Sequence, residues 1–161
     1  MNKFVVFLVI SALIGSCREK NFTRVYRERT IIRNGVTVKG RISDDTLYNG
    51  RILFYKSDTL IASRDFINGV ANGKHITYYA NGKISKIVSE AEGKADGSTL
   101  RFSTAGVLTR DQNYFNGRLV GPQLYYDSAG KPWYFEFINL QNQTICQVDY
   151  SASKRPIVKG D

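Results

Sequence analysis

Gly73 to Lys94 reads GKHITYYANGKISKIVSEAEGK, and the chain keeps returning to this pattern. A glycine opens each return, at Gly50, Gly73, Gly97 and Gly121, with spacings of 23, 24 and 24 residues. Nine residues after three of these openers come Gly82, Gly106 and Gly130, and four before three of them come Gly69, Gly93 and Gly117. A fixed period in the twenties is the signature of stacked supersecondary units. Three residues after each opener stand Leu53, Ile76, Leu100 and Leu124; five after it stand Tyr55, Tyr78, Phe102 and Tyr126. An aliphatic and an aromatic two apart, repeated four times, predict strands that bury the face carrying them.

Working outward, Asn34-Gly35 lies between Thr30–Arg33 and Val36–Val38. Asn-Gly between short apolar runs signals a hairpin, because both residues tolerate the positive φ of a type I′ turn. Gly35 lies 15 residues before Gly50, as Gly82 does before Gly97, so a degenerate unit is expected from about Tyr26. In the next unit the mid-unit turn is Ser57-Asp58-Thr59, where glycine is replaced and a different turn type is expected. Ile61, Ile84 and Leu108 align at one offset in the second strands, whereas the following unit has Pro132 there. The closing turns Asn68-Gly69 and Asn116-Gly117 follow Phe66 and Tyr114, but Glu90-Ala91-Glu92-Gly93 lacks that aromatic. The aromatic-rich stretch Trp133–Ile138 with Thr144–Tyr150 reads as a closing hairpin, since the end of a repeat stack must cover an edge. The expected repeat domain therefore covers residues 30–150, preceded by a basic tether over 17–29 and followed by a loose tail over 151–161.

The pattern of glycine, Tyr-Tyr, Asn-Gly-Lys and aromatic-Asn-Gly resembles the MORN-repeat variant of bacterial YwqK-family antitoxins, many of them lipoproteins. It is carried by Gly73, Tyr78, Tyr79, Asn81, Gly82 and Lys83, and again by Tyr114, Asn116, Gly117, Gly121, Tyr125, Tyr126 and Gly130. The resemblance covers about Tyr48 to Leu140. It implies β-hairpins laid edge to edge, which agrees with the alternation. The expected fold class is all-β: an antiparallel β-meander of MORN-like hairpins in one elongated, single-layer sheet. The repeat-turn glycines are then Gly35, Gly50, Gly69, Gly73, Gly82, Gly93, Gly97, Gly106, Gly117, Gly121 and Gly130.

The N-terminus has its own logic. Lys3 precedes an apolar run from Phe4 to Leu13, and Ile14-Gly15-Ser16-Cys17 follows. The run falls short of the roughly 20 apolar residues that a spanning helix needs, and it suits the apolar region of a signal peptide over residues 1–16. A buried strand or helix is the alternative, opposed by Arg18-Glu19-Lys20 directly afterwards. Ile14-Gly15-Ser16-Cys17 resembles the bacterial lipobox, which implies cleavage before Cys17 and a diacylglycerol thioether on its sulfur. The expected location is the bacterial cell envelope, as a membrane-anchored lipoprotein, at the outer membrane if the host is diderm. Without residues 1–16 the chain keeps 22 basic and 14 acidic side chains, a net charge of +8. Arg18, Lys20, Arg24, Arg27, Arg29 and Arg33 outnumber Glu19 and Glu28 beside the anchor, where they either hold the tether near anionic headgroups or form a solvated spacer. Nucleic acid is not an expected partner of an exported chain. Cys146, left without a partner, alternates with Val148 and is expected as a small buried hydrophobe.

No catalytic constellation emerges. His75, the single histidine, sits two residues after an opener, on the face opposite the aliphatic–aromatic pair, and is expected at the surface. No metal-ligand spacing accompanies it. Asp44, Asp45, Asp58, Asp65 and Asp96 are expected at or near turns. Gly93–Thr99 imitates a phosphate loop, but its lysine is misplaced and no helical run follows. Asp45-Thr46-Leu47, Asp58-Thr59-Leu60 and Asp127-Ser128-Ala129 resemble the short O-glycosylation acceptor of exported bacterial proteins. Tyr79 and Tyr125 fall off the apolar offset, onto the opposite face, where they form a candidate binding face or simply cover a thin sheet. The expectation is a non-catalytic, cofactor-free module. Its partners are membrane lipid, through acylated Cys17, and an unidentified envelope protein. Toxin neutralisation is implied by the resemblance alone and fits poorly with export. The alternative partner is an acidic glycan on the basic, aromatic-lined face.

Overall fold

A computed structural model describes residues 24–150 and the backbone of 157–159. The expected signal peptide, Cys17 and most of the expected tether and tail lie outside the described residues. Twelve strands form one sheet, with β1 (Tyr26–Arg33), β2 (Val36–Ser43), β3 (Tyr48–Lys56), β4 (Thr59–Ile67), β5 (Val70–Tyr78) and β6 (Ile84–Ala91) in its first half. The second half holds β7 (Lys94–Phe102), β8 (Leu108–Phe115), β9 (Arg118–Tyr126), β10 (Pro132–Ile138), β11 (Thr144–Asp149) and β12 (Ile157–Lys159). Spatial order equals sequence order, and every described pairing is antiparallel. Strands contact their sequence neighbours with no second layer among the described residues, so the fold is the all-β, single-layer meander expected. β1 begins at Tyr26, where the degenerate unit is expected to start, and so takes in the last residues assigned to the tether; β12 pairs with β11 inside the expected tail.

Turn chemistry explains the spacings. Asn34-Gly35, Asn68-Gly69 and Asn116-Gly117 hold positive φ at both residues, as a type I′ turn requires. Glu92-Gly93 takes the same shape with a glutamate at φ 50°. Ser57-Asp58 does so with no glycine, at φ 47° and 60°. The equivalent turns in the next units are longer: the Tyr79 N–H donates to Lys83 O (2.8 Å), and the Ser103 and Asp127 N–H groups do likewise four residues on. The shorter turn accounts for the spacing of 23 in place of 24. It also shifts the alignment, since Leu60, not Ile61, matches Ile84, Leu108 and Pro132 across from the aromatics.

Two sequence expectations are corrected. The eleven glycines all have positive φ, from 73° to 118°, but Gly50, Gly73, Gly97 and Gly121 lie inside strands, not in turns. Gly73, Gly97 and Gly121 sit where the register shifts, opposite β4, β6 and β8 respectively. These are β-bulges, which bend a strand and raise its twist. The second correction concerns burial. The row Leu53, Ile76, Leu100 and Leu124 is only half-buried, while Ile52, Thr99 and Gln123, one residue earlier and on the other face, are at most 1% exposed. With no second layer among the described residues to seal either face, burial comes from neighbours on the same face. The residues of the middle row are flanked by long side chains and are covered even when polar. The apolar core lies at the N-terminal end of that face: Val38, Ile42, Ile52, Phe66 and Ala71, with Ile31, Val36, Tyr48 and Phe54 packed against it.

Candidate functional site

The face that carries this core changes character along the sheet. Its central row crosses the strands as Ile52, Arg64, His75, Val88, Thr99, Gln112, Gln123 and Glu136. Beside it, through the same pairings, run Phe54, Ala62, Thr77, Lys86, Arg101, Arg110, Tyr125 and Tyr134. The second row is thus apolar over β3 and β4, cationic over β6 to β8 and aromatic over β9 and β10.

Bulges enrich it further. Each of β6, β8 and β10 carries one extra residue near its start, namely Ser85, Thr109 and Trp133. A bulge re-aims a side chain. The Ser85 hydroxyl shares a 2.8 Å hydrogen bond with that of Thr77, and Trp133 packs its ring 6.3 Å from that of Tyr125. The Thr109 hydroxyl donates to Arg101 O. Lys86, Arg101 and Arg110 line an open basin of about 380 Å³, together with Thr77, Tyr79, Ser85 and Thr109.

The two tyrosines singled out by sequence do share this face. Tyr79 reaches across a unit to donate its hydroxyl to Phe102 O (2.7 Å). Tyr125 lies under the Arg110 guanidinium, 5.6 Å from ring centre to Cζ, and donates to Glu136 Oε1 (2.9 Å). Burial first, and then the bond to Glu136, push its pKa up to about 12. Tyr134 and Trp133 complete a cluster of tilted rings around it.

His75 departs from expectation. It is on the predicted face but half-buried, with Nδ1 3.7 Å from Glu90 Oε1. Glu90, in the place that Phe66 and Tyr114 take in the units on either side, accepts paired bonds from Arg64 Nε (2.7 Å) and Nη2 (2.8 Å). Burial holds the His75 pKa below its ordinary value, against the opposing pull of Glu90. The missing aromatic before Gly93 was the sequence signal for this buried carboxylate. Among the described residues no group of His, Cys, Asp and Glu side chains could hold a metal ion. Asp65 and Asp96 lie within strands, where they accept the backbone N–H groups of Lys74 and Asn116 (3.1 Å each). Cys146 is free and half-buried.

Sequence reasoning missed the cationic row. Lys86, Arg101 and Arg110 become neighbours only through the bulged register, and no spacing of basic residues announces it. The 24-residue period does carry the signal in retrospect, since Ala62, Lys86, Arg110 and Tyr134 are one position of the repeat.

No family model matches the chain, and no curated protein is similar to it. Among solved structures, it is similar to a chain in the crystal structure of accessory secretory protein 1, 2 and 3 in Streptococcus pneumoniae, at 12% identity and a TM-score of 0.31. The match covers 81% of this chain but spans only 20% of that one. At that score the likeness decides neither fold nor function.

Proposed function

We propose that this protein is a non-catalytic, lipid-anchored module of the bacterial cell envelope, built of MORN-like repeats, that binds another envelope protein. The observation that carries the reading is the aliphatic face opposite the basin. Ile76, Ile87, Leu100, Leu124, Phe135 and Val148 lie on one row, interrupted by Asp111, half-buried and under no covering layer among the described residues. A row of apolar side chains left without a covering layer favours a protein partner on this face. A photo-reactive residue at Leu100, in protein expressed in its own membranes, is expected to give one dominant protein adduct. The same group at Arg101, on the other face, is expected to give none of that adduct. No protein adduct from Leu100 would end the reading. Lipid anchoring is tested separately: a Cys17→Ala variant is expected to leave the membrane fraction and to take up no labelled fatty acid.

A second reading, binding of an acidic glycan, is favoured by the cationic row and the aromatic cluster that continues it.

A further inference from the structure

Lys86 stands directly opposite Arg101, and Arg101 directly opposite Arg110, on three successive strands. Like charges in opposed positions destabilise a sheet. No carboxylate interrupts this part of the row, and none of the three cations enters an ion pair among the described residues. Arg101 Nε is buried without a hydrogen-bond partner, as is Thr99 Oγ1 in the adjoining row. Buried polar groups normally find partners, so this row holds its cations without the acceptors that would ordinarily offset them. Burial, together with Arg101, also holds the Lys86 ammonium below its ordinary pKa, against the pull of Glu90.

We infer that this row seats the anionic groups of an acidic polysaccharide lying across the strands, with its sugar rings against Tyr125 and Trp133. The inference rests on the second reading above and gives it an address. Geometry favours a polymer. Neighbouring strands lie about 4.8 Å apart, so the three cations form a straight, evenly stepped series about 10 Å long. The series runs on into aromatic faces, with Arg110 already stacked on Tyr125. A chain of sugars offers both halves of that surface, charged groups in series and apolar ring faces between them. Hydroxyls at Thr77, Ser85 and Thr109 supply neutral hydrogen-bonding groups beside the charges. The basin is open to solvent and not an enclosed cavity, which suits a polymer more than a single enclosed headgroup.

The test uses the full-length protein in detergent with four probes: heparin, polygalacturonate, inorganic sulfate, and phosphatidylglycerol vesicles with the polymers withheld. Binding of heparin or polygalacturonate is expected, weakening by roughly tenfold or more from low to physiological salt as the charges are screened. Which polymer binds tighter separates sulfate from carboxylate as the preferred group. An Arg101→Gln/Arg110→Gln variant is expected to lose at least about tenfold in affinity, the effect of one removed charge-assisted contact or more. The same variant is expected to stay folded, with relieved repulsion offsetting the lost Arg110–Tyr125 contact. Polymer is expected to raise the melting temperature of the wild type alone. Lys86→Gln provides an independent variant should the double one fold poorly. Polymer bound equally by wild type and variants would overturn the assigned site while leaving the glycan reading intact. Neither polymer bound, or a response to sulfate or vesicles alone, would overturn both.

Discussion

Glu90 shows how a single residue alters one unit of an otherwise regular array. Phe66 and Tyr114, 24 residues to either side, hold the same position with aromatic rings. Glu90 instead brings a carboxylate onto the face with only 8% of its side chain exposed, clamped by both nitrogens of the Arg64 fork. Replacing it by glutamine removes the charge and leaves the guanidinium with a poorer acceptor. Glu90→Gln is expected to cost about 1–3 kcal/mol in urea unfolding; a loss within error of zero would show the pair to be decorative. His75 reports on the same cluster. Its folded pKa is depressed below 6.5, chiefly by burial, so the unfolded chain takes up its proton first as pH falls. The His75 contribution to stability is complete above about pH 6.5 and is lost as pH drops toward the folded value. Wild type is therefore expected to lose more stability than His75→Gln between roughly pH 7.5 and 5, and parallel losses would refute this.

At the scale of the element, turns and bulges set the register, and both respond to single substitutions. Glu92 sits at φ 50° where Asn34, Asn68 and Asn116 stand in the matching turns. Asparagine is at home in the left-handed region and glutamate is not, so Glu92→Asn is expected to stabilise by about 0.5–1 kcal/mol. Gly73 shows the opposite case. Its φ is 118°, and a Cβ there would lie 2.8 Å from Asp65 Cβ. Gly73→Ala is expected to cost about 1–3 kcal/mol, by strain and by displacing the carboxylate that accepts the Lys74 N–H. Thermal melts of the two variants should move in opposite directions. These elements also mark the limit of what sequence conveys. Asn-Gly pairs and the aliphatic–aromatic offset announced the hairpins, because turn chemistry is local. The openers looked like turn glycines because a bulge and a turn make the same demand for positive φ. Only pairing tells them apart.

At the scale of the molecule, the period was legible and the burial was not. A repeat dictates that like units stack, so strand order followed from the sequence. Which side of a single layer is better covered depends on side chains reaching from neighbouring rows, and Ile52, Thr99 and Gln123 owe their burial to such neighbours. Lys86 and Arg101 meet for a related reason, through a pairing that recurs with the repeat but shows its like charges side by side only once the strands are in register. Because strands contact their sequence neighbours, stability is a sum of local terms and need not be uniform. The apolar core occupies β2 to β5, and amide exchange is expected to be slowest there and faster from β9 onward; slowest exchange in β7 to β9 would contradict this. The same nearest-neighbour order bears on ancestry. Gene duplication that copied a 24-residue unit would splice in two strands without disturbing any pairing outside the splice. It would lengthen each face by about 10 Å at a stroke, and loss of a copy would shorten it as cleanly. Recombination can thus lengthen or trim the reach of this surface one hairpin at a time, with point mutation left to choose what each new rung displays.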